Sequence, residues 1–377
     1  MRKPAQSNYL RARNEKEVAA LRELSARVGG NPLLVQASNG NTSIKLDGVL
    51  WIKASGRWMA RAMQEETHVA VNMAKAQECI ANGIEIGAQN GWGSKLRPSI
   101  ETAMHAVLRH RVVIHVHSIN TITWAIRVDG PEQLKGRLKG LRWQWIPYAA
   151  SGIPLAREIE KAVGEEQETD VLVLGNHGLV VCGRDCEKAE RLLWEVERRL
   201  ATTPRPFPKP DTKALTTIAR ISRWEVPEVE TLHALGTDGI SLKVVQGGVL
   251  YPCQAMFLGQ KMPLLPAIAA DAKFIGQLRG EKTMPAFVAV EKCGVLLHEK
   301  MSTAERATLH GLAQVAQRTE EYAQLRYLSW EEVAQVLSEG TGGYKEITGD
   351  ANANANGEAE RLNEECNVAC DGNEFAS

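Results

Sequence analysis

Val112-Val113-Ile114-His115-Val116-His117 decides how this chain is read. Three consecutive β-branched residues predict a strand. Side chains two apart on a strand share a face, so the two imidazoles project together, at a separation that suits two ligands of one metal ion. A second apolar run, Val171-Leu172-Val173-Leu174, also reads as a strand and enters the turn Gly175-Asn176-His177-Gly178. Two histidines on one strand and a third at the end of another describe a three-histidine site with an open coordination position, which is what metal catalysis requires.

Working outward, helical and strand patterns alternate, as in an α/β domain. Apolar residues recur at helical spacing from Glu15 to Val28, and Gly29-Gly30-Asn31-Pro32 ends them. Ser43–Leu46 and Val49–Lys53 form a hairpin through Asp47-Gly48. A helix is expected over Ser99–Arg109 with Ser99 as its N-cap, another over Leu155–Val163, and a long charged amphipathic one over Asp185–Leu200. The domain spans residues 1–203. Four prolines between Thr203 and Pro210 make 204–210 a semi-rigid linker by composition.

Residues 211–345 form a smaller second α/β domain, with helices expected near 212–222 and 226–235 and strands at 241–245, 249–251 and 286–290. Its turn signals, Asp238-Gly239 and Gly247-Gly248, and its Tyr251-Pro252-Cys253 segment offer no catalytic cluster. Residues 346–377, with their Ala-Asn repeat and acidic character, read as disordered. One internal echo stands out. Val171 to Val181 runs into a helix containing Ala189-Glu190-Arg191; Val288 to Leu297 runs into one containing Ala304-Glu305-Arg306. Cys293 falls where His177 would be. Either the second domain repeats a strand–turn–helix unit without its metal site, or a common unit recurs by coincidence.

Composition narrows the function classes. The 377 residues balance 45 basic against 45 acidic side chains, so the whole-chain charge argues for neither a nucleic acid nor an anionic membrane, and no partner of either kind is expected. Hydrophobic content of 44% supports a substantial core. Seven scattered cysteines make a poor disulfide framework and read mostly as reduced, buried small hydrophobes. No segment has the length of a transmembrane helix and the N-terminus has no apolar signal core, so a cytoplasmic location is expected.

His68, His233, His298 and His310 stand alone and read as structural or solvated; His105 and His110 are better read as structural than as outer support for a metal. Upstream, Arg97-Pro98-Ser99-Ile100-Glu101 would put amide N–H groups, a hydroxyl and a carboxylate at a helix start, suited to phosphate oxygens and to proton transfer. Ser38-Asn39-Gly40-Asn41-Thr42-Ser43 and Ala54-Ser55-Gly56 are turns rich in small donors.

Taken in order, Gly40-Asn41-x-Ser43, Ile52-Lys53-x-Ser55-Gly56, Pro98-Ser99-x-Glu101-Thr102-x-x-His105, His115-x-His117 and Asn176-His177-Gly178 resemble the class II aldolase/adducin family. That family includes the fuculose- and rhamnulose-phosphate aldolases and ribulose-phosphate 4-epimerase. The resemblance covers roughly residues 10 to 203. It implies a three-layer α/β/α domain and makes His115, His117 and His177 the ligands of a divalent metal, usually zinc. It makes Glu101 the acid/base; the family epimerase has aspartate there, which tilts the reading towards the aldolases. Asn41, Ser55, Gly56 and Ser99 match positions that hold the substrate phosphate.

The implied chemistry is cleavage between C3 and C4 of a ketose, ketose phosphate or sugar acid through a metal-stabilised enediolate. Ile100 replaces the second serine of the phosphate motif, which opens the way to an unphosphorylated or carboxylated substrate. Tyr148, in the shortened loop after Pro147, is the candidate acid for the leaving aldehyde oxygen. An epimerase, a 3-oxo sugar acid decarboxylase and a non-catalytic adducin-like interaction protein remain alternatives. The resemblance also implies a homo-oligomer, with four subunits as in the family.

Overall fold

In a computed structural model, the strand that carries His115 lies at the middle of a seven-stranded sheet. The structure describes residues 4–87, 96–164, 168–220, 224–266 and 285–340; the expected disordered tail at 346–377 lies outside them. Two units are distinguished, Met1–Ala201 and Thr202–Ser377.

The first unit runs α1 (Pro4–Gly29), β1 (Asn41–Leu46), β2 (Val49–Lys53), β3 (His68–Asn72), α2 (Met73–Ala81), α3 (Thr102–Val107) and β4 (Val112–Val116). It continues through α4 (Ile119–Ala125), α5 (Gly130–Arg137), β5 (Trp143–Ile146), α6 (Ile153–Val163), β6 (Val171–Leu174), β7 (Gly178–Gly183) and α7 (Cys186–Leu200). The sheet order is β3-β2-β1-β4-β7-β6-β5, antiparallel except for the β5–β6 pair.

Alternation along β4 builds the layers. Val112, Ile114 and Val116 join Leu21, Leu24 and Val28 of α1 and Leu193 and Val196 of α7 in one core. Val113 packs on the opposite face with Met104 of α3 and Leu155 and Ile159 of α6. The result is a helix–sheet–helix sandwich. Each fully buried Leu, Ile or Val side chain contributes roughly 1.5–3 kcal/mol, so the alternation fixes which face His115 takes. A one-residue slip would turn every one of these side chains around.

The Asp47-Gly48 hairpin forms with Leu46 opposite Val49. Both turn residues have positive φ, 49° and 81°, as a twist-matched two-residue turn needs. Asp185 caps α7 by accepting from the Lys188 N–H at 2.8 Å. The expected Ser99-capped helix is different. It begins at Thr102 with Glu101 at the N-cap position, because Ser99 closes a separate turn in which its carbonyl accepts from the Thr102 N–H at 3.0 Å.

The second unit contains α8 (Thr212–Arg220), β8 (Trp224–Glu225), α9 (Ala234–Thr237), α10 (Gly239–Gln246), β9 (Leu264–Leu265), β10 (Phe287–Val290), β11 (Gly294–His298), α11 (Thr303–Arg318) and α12 (Trp330–Gly340). Its sheet order is β8-β11-β10-β9. Three expectations fail here. The helix expected over 226–235 is irregular from Val226 to Val229, then a 3-10 turn at Glu230–His233 that runs into the single turn α9. The strand expected over 241–245 is helix α10, because the Asp238 carboxylate accepts from the N–H groups of Ile240 and Ser241 at 3.2 and 3.1 Å and nucleates a turn. Residues 249–251 are irregular, and the Val249 carbonyl accepts from the Leu328 N–H at 2.8 Å instead of entering a sheet.

Residues 204–210 have no helix or strand. Arg205 is nevertheless fixed, its guanidinium donating to Asp238 at 2.7 Å and to the Ala316 carbonyl at 2.9 Å. Among the described residues the cysteines form no disulfide with one another. Among the described residues no helix is long and apolar enough to cross a membrane.

Candidate metal centre

Strand register assembles the site. In the β1–β4 pair Asn41 stands opposite His115 and Ser43 opposite Val113, so Asn41, Ser43 and His115 share one face of the sheet. His117 follows the end of β4 on that same face. The β6–β7 turn delivers His177: Asn176 takes a left-handed conformation, φ 52°, and its N–H donates to the Ala125 carbonyl at 2.9 Å. Asparagine tolerates that conformation better than most residues. Glu101 arrives from the start of α3.

Glycines allow the close approach. A Cβ on Gly178 would sit 2.5 Å from the Val116 carbonyl oxygen, and one on Gly40 (φ 66°) would sit 2.8 Å from that of His115.

Glu101, His115, His117 and His177 are all buried, and one ligand atom from each lies within 4.8 Å of the others. Oε1 of Glu101 is 3.4 Å from Nε2 of His115 and 3.1 Å from Nε2 of His177. The Nε2 atoms of His115 and His117 face each other at 3.2 Å. At that distance one ring must supply a proton, or a shared cation must stand between the lone pairs. Nδ1 of His115 lies 3.0 Å from the Leu179 carbonyl. Donation there puts the proton on Nδ1 and leaves Nε2 free to ligate. Nδ1 of His177 is buried without a hydrogen-bond partner. Three imidazoles and one carboxylate converging at a buried site could hold a divalent metal ion.

Burial alone would raise the Glu101 pKa, but the neighbouring His115 and His177 rings outweigh it and hold the carboxyl well below the usual range. Glu101 is therefore an anion. Burial, reinforced by His115 and His177, pushes His117 well below the usual imidazole range, which keeps it neutral and able to ligate.

A directional chain of buried hydrogen bonds fixes Glu101. Nδ2 of Asn41 donates to Oε2 of Glu101 at 2.7 Å and to the Ser99 hydroxyl at 3.1 Å, so Oδ1 of Asn41 is its acceptor end. Nε2 of His105 donates to that oxygen, which leaves Nδ1 of His105 to accept from the Ser43 hydroxyl at 2.7 Å. Every donor and acceptor is then used in one sense. The structural reading of His105 from sequence is incomplete, since the ring sets which way the Asn41 amide points. His105 sits one helical turn from Glu101 (i, i+4), and that spacing was the available signal.

Asn41 and Ser99 thus meet Glu101 directly. Ser55 and Gly56 stand on the adjoining loop. The Ser55 N–H donates to the Arg97 carbonyl at 2.8 Å, and the Ser99 N–H donates to the Lys53 carbonyl at 3.2 Å. Lys53 is fully buried, and its ammonium donates to the carbonyls of Ser38 and Arg57 at 2.8 and 2.7 Å. It ties the Ser38 turn to the Ser55 turn. Burial pushes its pKa down to about 7, against the opposing pull of Glu101.

Tyr148 lies beside the His177 turn, where a Cβ on Gly175 would meet its backbone nitrogen at 3.3 Å, and its hydroxyl is enclosed. The side chain of that loop that reaches Glu101 is Ser151, its hydroxyl 3.5 Å from Oε1. Nothing in the sequence distinguishes Ser151 from any loop serine. The remaining histidines keep away from this cluster. His68 bonds to Thr42 and Thr67, His110 pairs with Asp170, and His233 is held between the Pro227 carbonyl and the Val295 N–H.

Residues 19–203 match the family model described as Class II Aldolase and Adducin N-terminal domain. An uncharacterized oxidoreductase of Bacillus subtilis is 33% identical over 91 residues, which are 24% of this chain and 13% of that protein. The methylthioribulose-1-phosphate dehydratase of Bacillus pumilus is 28% identical over 176 residues, covering 41% of this chain and 77% of the enzyme. Among solved structures, the N-terminal class II aldolase domain of a conserved protein from Thermoplasma acidophilum aligns with TM-score 0.42 and 22% identity, over 48% of this chain and 90% of that one.

Proposed function

Residues 19–203 belong to the class II aldolase and adducin family, and from that premise we propose that this protein is a metal-dependent lyase acting on a sugar-type substrate. The observation that carries the proposal is the buried convergence of His115, His117, His177 and Glu101. An adducin-like role without chemistry would leave this donor set with no purpose, and isolating an anion and three imidazoles from water is costly.

His115, His117 and His177 would hold the metal, most suitably zinc. A divalent cation there supplies an electrophile that polarises a substrate carbonyl oxygen and stabilises negative charge developing beside it. The rest is the work of side chains. In the cleavage direction the C4 hydroxyl of a ketose gives up its proton and the C3–C4 bond breaks with its electron pair going to C3. Glu101, an anion at rest, would first take up a proton released by the substrate and then hand it to C3. Asn41 holds Oε2 of Glu101, so Oε1 is the oxygen turned towards the histidines and the one that moves the proton. Ser151 steadies that oxygen. Tyr148, on the same loop, is the proposed partner for the proton of the C4 oxygen. Asn41, Ser55, Gly56 and Ser99 line the substrate end, where Ile100 removes one hydroxyl from the phosphate-binding pattern and favours a substrate carrying a smaller or planar anion.

Similarity to a methylthioribulose-phosphate dehydratase supports a second reading. The same base would remove a proton next to the carbonyl, and hydroxide would leave from the neighbouring carbon in place of an aldehyde. The test is a screen of ketoses, ketose phosphates and oxo-sugar acids with zinc-loaded protein, reading aldehyde release and dehydrated ketone separately. Aldehyde release lost in Glu101→Gln, with metal retained, supports the aldolase. Dehydrated product lost in the same variant supports the second reading. Turnover that survives Glu101→Gln overturns both.

A further inference from the structure

The second unit repeats the strand order and the hairpin-turn hydrogen bonds of the half of the first unit that carries His115, His117 and His177. In both, an antiparallel hairpin closes through three residues, pairing Leu174 with Gly178 in one and Val290 with Gly294 in the other. The middle residue of each turn is left-handed: Asn176 at φ 52° and Lys292 at φ 61°. Three backbone donors in each turn find the same kinds of acceptor. The first N–H donates to the end of a parallel strand, Gly175 to Ile146 and Glu291 to Leu265, both at 2.8 Å. The middle one donates to a short helix after the antiparallel neighbour, Asn176 to Ala125 at 2.9 Å and Lys292 to Gly236 at 2.8 Å. The third folds back on its own strand, His177 to Leu174 at 3.1 Å and Cys293 to Val290 at 3.0 Å.

The sheets agree as well. Strand order β4-β7-β6-β5 in the first unit corresponds to β8-β11-β10-β9 in the second, with the last pair parallel in both. Counting from Gly178 and Gly294, the partners in the antiparallel neighbour fall in one register. Val181 and Cys182 pair with Ile114 and Val113, as Leu297 and His298 pair with Glu225 and Trp224. Each hairpin then enters a helix whose cap, Asp185 or Ser302, accepts from the N–H three residues on. A shared supersecondary unit would explain the hairpin alone. It does not explain a common strand order, register and set of turn acceptors together.

This register identifies what stands at the metal positions. Glu225 corresponds to Ile114, so Val226 and Glu228 occupy the places of His115 and His117, and Cys293 that of His177. Asp211 immediately precedes α8 as Glu101 precedes α3, and its N–H donates to the Cys293 carbonyl at 2.9 Å. We propose that the second unit is a copy of the metal-bearing half of the first that has lost its metal ligands, so that the chain holds a single catalytic metal in the first unit. Valine has no donor atom. The Cys293 thiol is raised by burial and by the Asp211 charge, which disfavours the thiolate a metal would need. Glu228 is exposed.

The test compares zinc uptake, by equilibrium dialysis and metal analysis, in the full chain and in the triple variant Val226→His, Glu228→His, Cys293→His. The parent should take up one equivalent and the folded variant one more. A second tight equivalent in the parent, or a folded variant that gains none, would overturn the proposal. Because the difference is read, failure of the first site to load sinks the proposed lyase reaction and leaves this comparison intact. Should the variant not fold, cobalt titration of the parent decides. Saturation at one equivalent with no thiolate-to-cobalt absorption supports the proposal. Such a band, lost in Cys293→Ser, contradicts it.

Discussion

Replacing Glu197 by glutamine should stabilise the first unit above neutral pH and change little below pH 5. Glu197 lies on the inner face of α7, 7% exposed, with Oε2 accepting from Asn120 at 3.0 Å and Oε1 enclosed without a partner. Burial pushes its pKa up from 4.5 to about 7, against hydrogen bonds from Ser118 and Asn120. A folded-state pKa above the unfolded value means the fold prefers the protonated acid. The stability it contributes is fully present below about pH 4.5 and is lost as pH rises through 7. A shift from 4.5 to about 7, at about 1.4 kcal/mol per unit, corresponds to roughly 3 kcal/mol by pH 8.5. Glutamine keeps an oxygen for Asn120 and cannot ionise. The variant should therefore gain about 2–3 kcal/mol at pH 8.5, which for a unit of this size raises the melting temperature by roughly 5 °C or more. Thermal melts followed by near-ultraviolet circular dichroism from pH 5 to 9 measure it. A variant no more stable than the parent at pH 8.5, or an advantage that grows as pH falls, refutes the reasoning.

Gly178→Ala should separate β7 from β4, since the new Cβ would meet the Val116 oxygen at 2.5 Å. Zinc affinity should drop at least tenfold, with a stability loss of about 1–3 kcal/mol, read by chelator competition and urea unfolding. His105→Ala leaves Asn41 Oδ1 and the Ser43 hydroxyl unpaired, each costing about 1–3 kcal/mol, and frees the Asn41 amide to turn away from Glu101. Once a substrate is in hand, kcat should fall much more than KM rises, with zinc retained. A fall confined to stability would reduce His105 to a structural role.

Much of the site was legible because its chemistry is local. His115 and His117 lie on one face of a strand made evident by three β-branched neighbours, and the Asp47-Gly48 turn marks the hairpin whose first strand also pairs with β4, Asn41 opposite His115. What escaped depends on contacts distant in sequence. Ser99 looked like a helix cap, yet its hydroxyl accepts from Asn41, 58 residues away, and the helix begins later. Ser151 joins Glu101 only through the fold. In the second unit, Ser241–Val245 ends in two β-branched valines that suggest a strand, and the segment is a helix capped by the Asp238 carboxylate. Local propensity was outweighed by one capped turn. The echo between the units was visible as a sequence pattern, but its register, and so the fate of each ligand position, needed the strand pairing.

The most direct test of the account is anomalous diffraction at the zinc edge from crystals of the zinc-loaded protein. One strong peak is predicted, bonded to Nε2 of His115, His117 and His177 at about 2.0–2.1 Å. A fully loaded crystal with no peak between those three nitrogens, or with its zinc bound elsewhere, would contradict the assignment of this site as the metal centre.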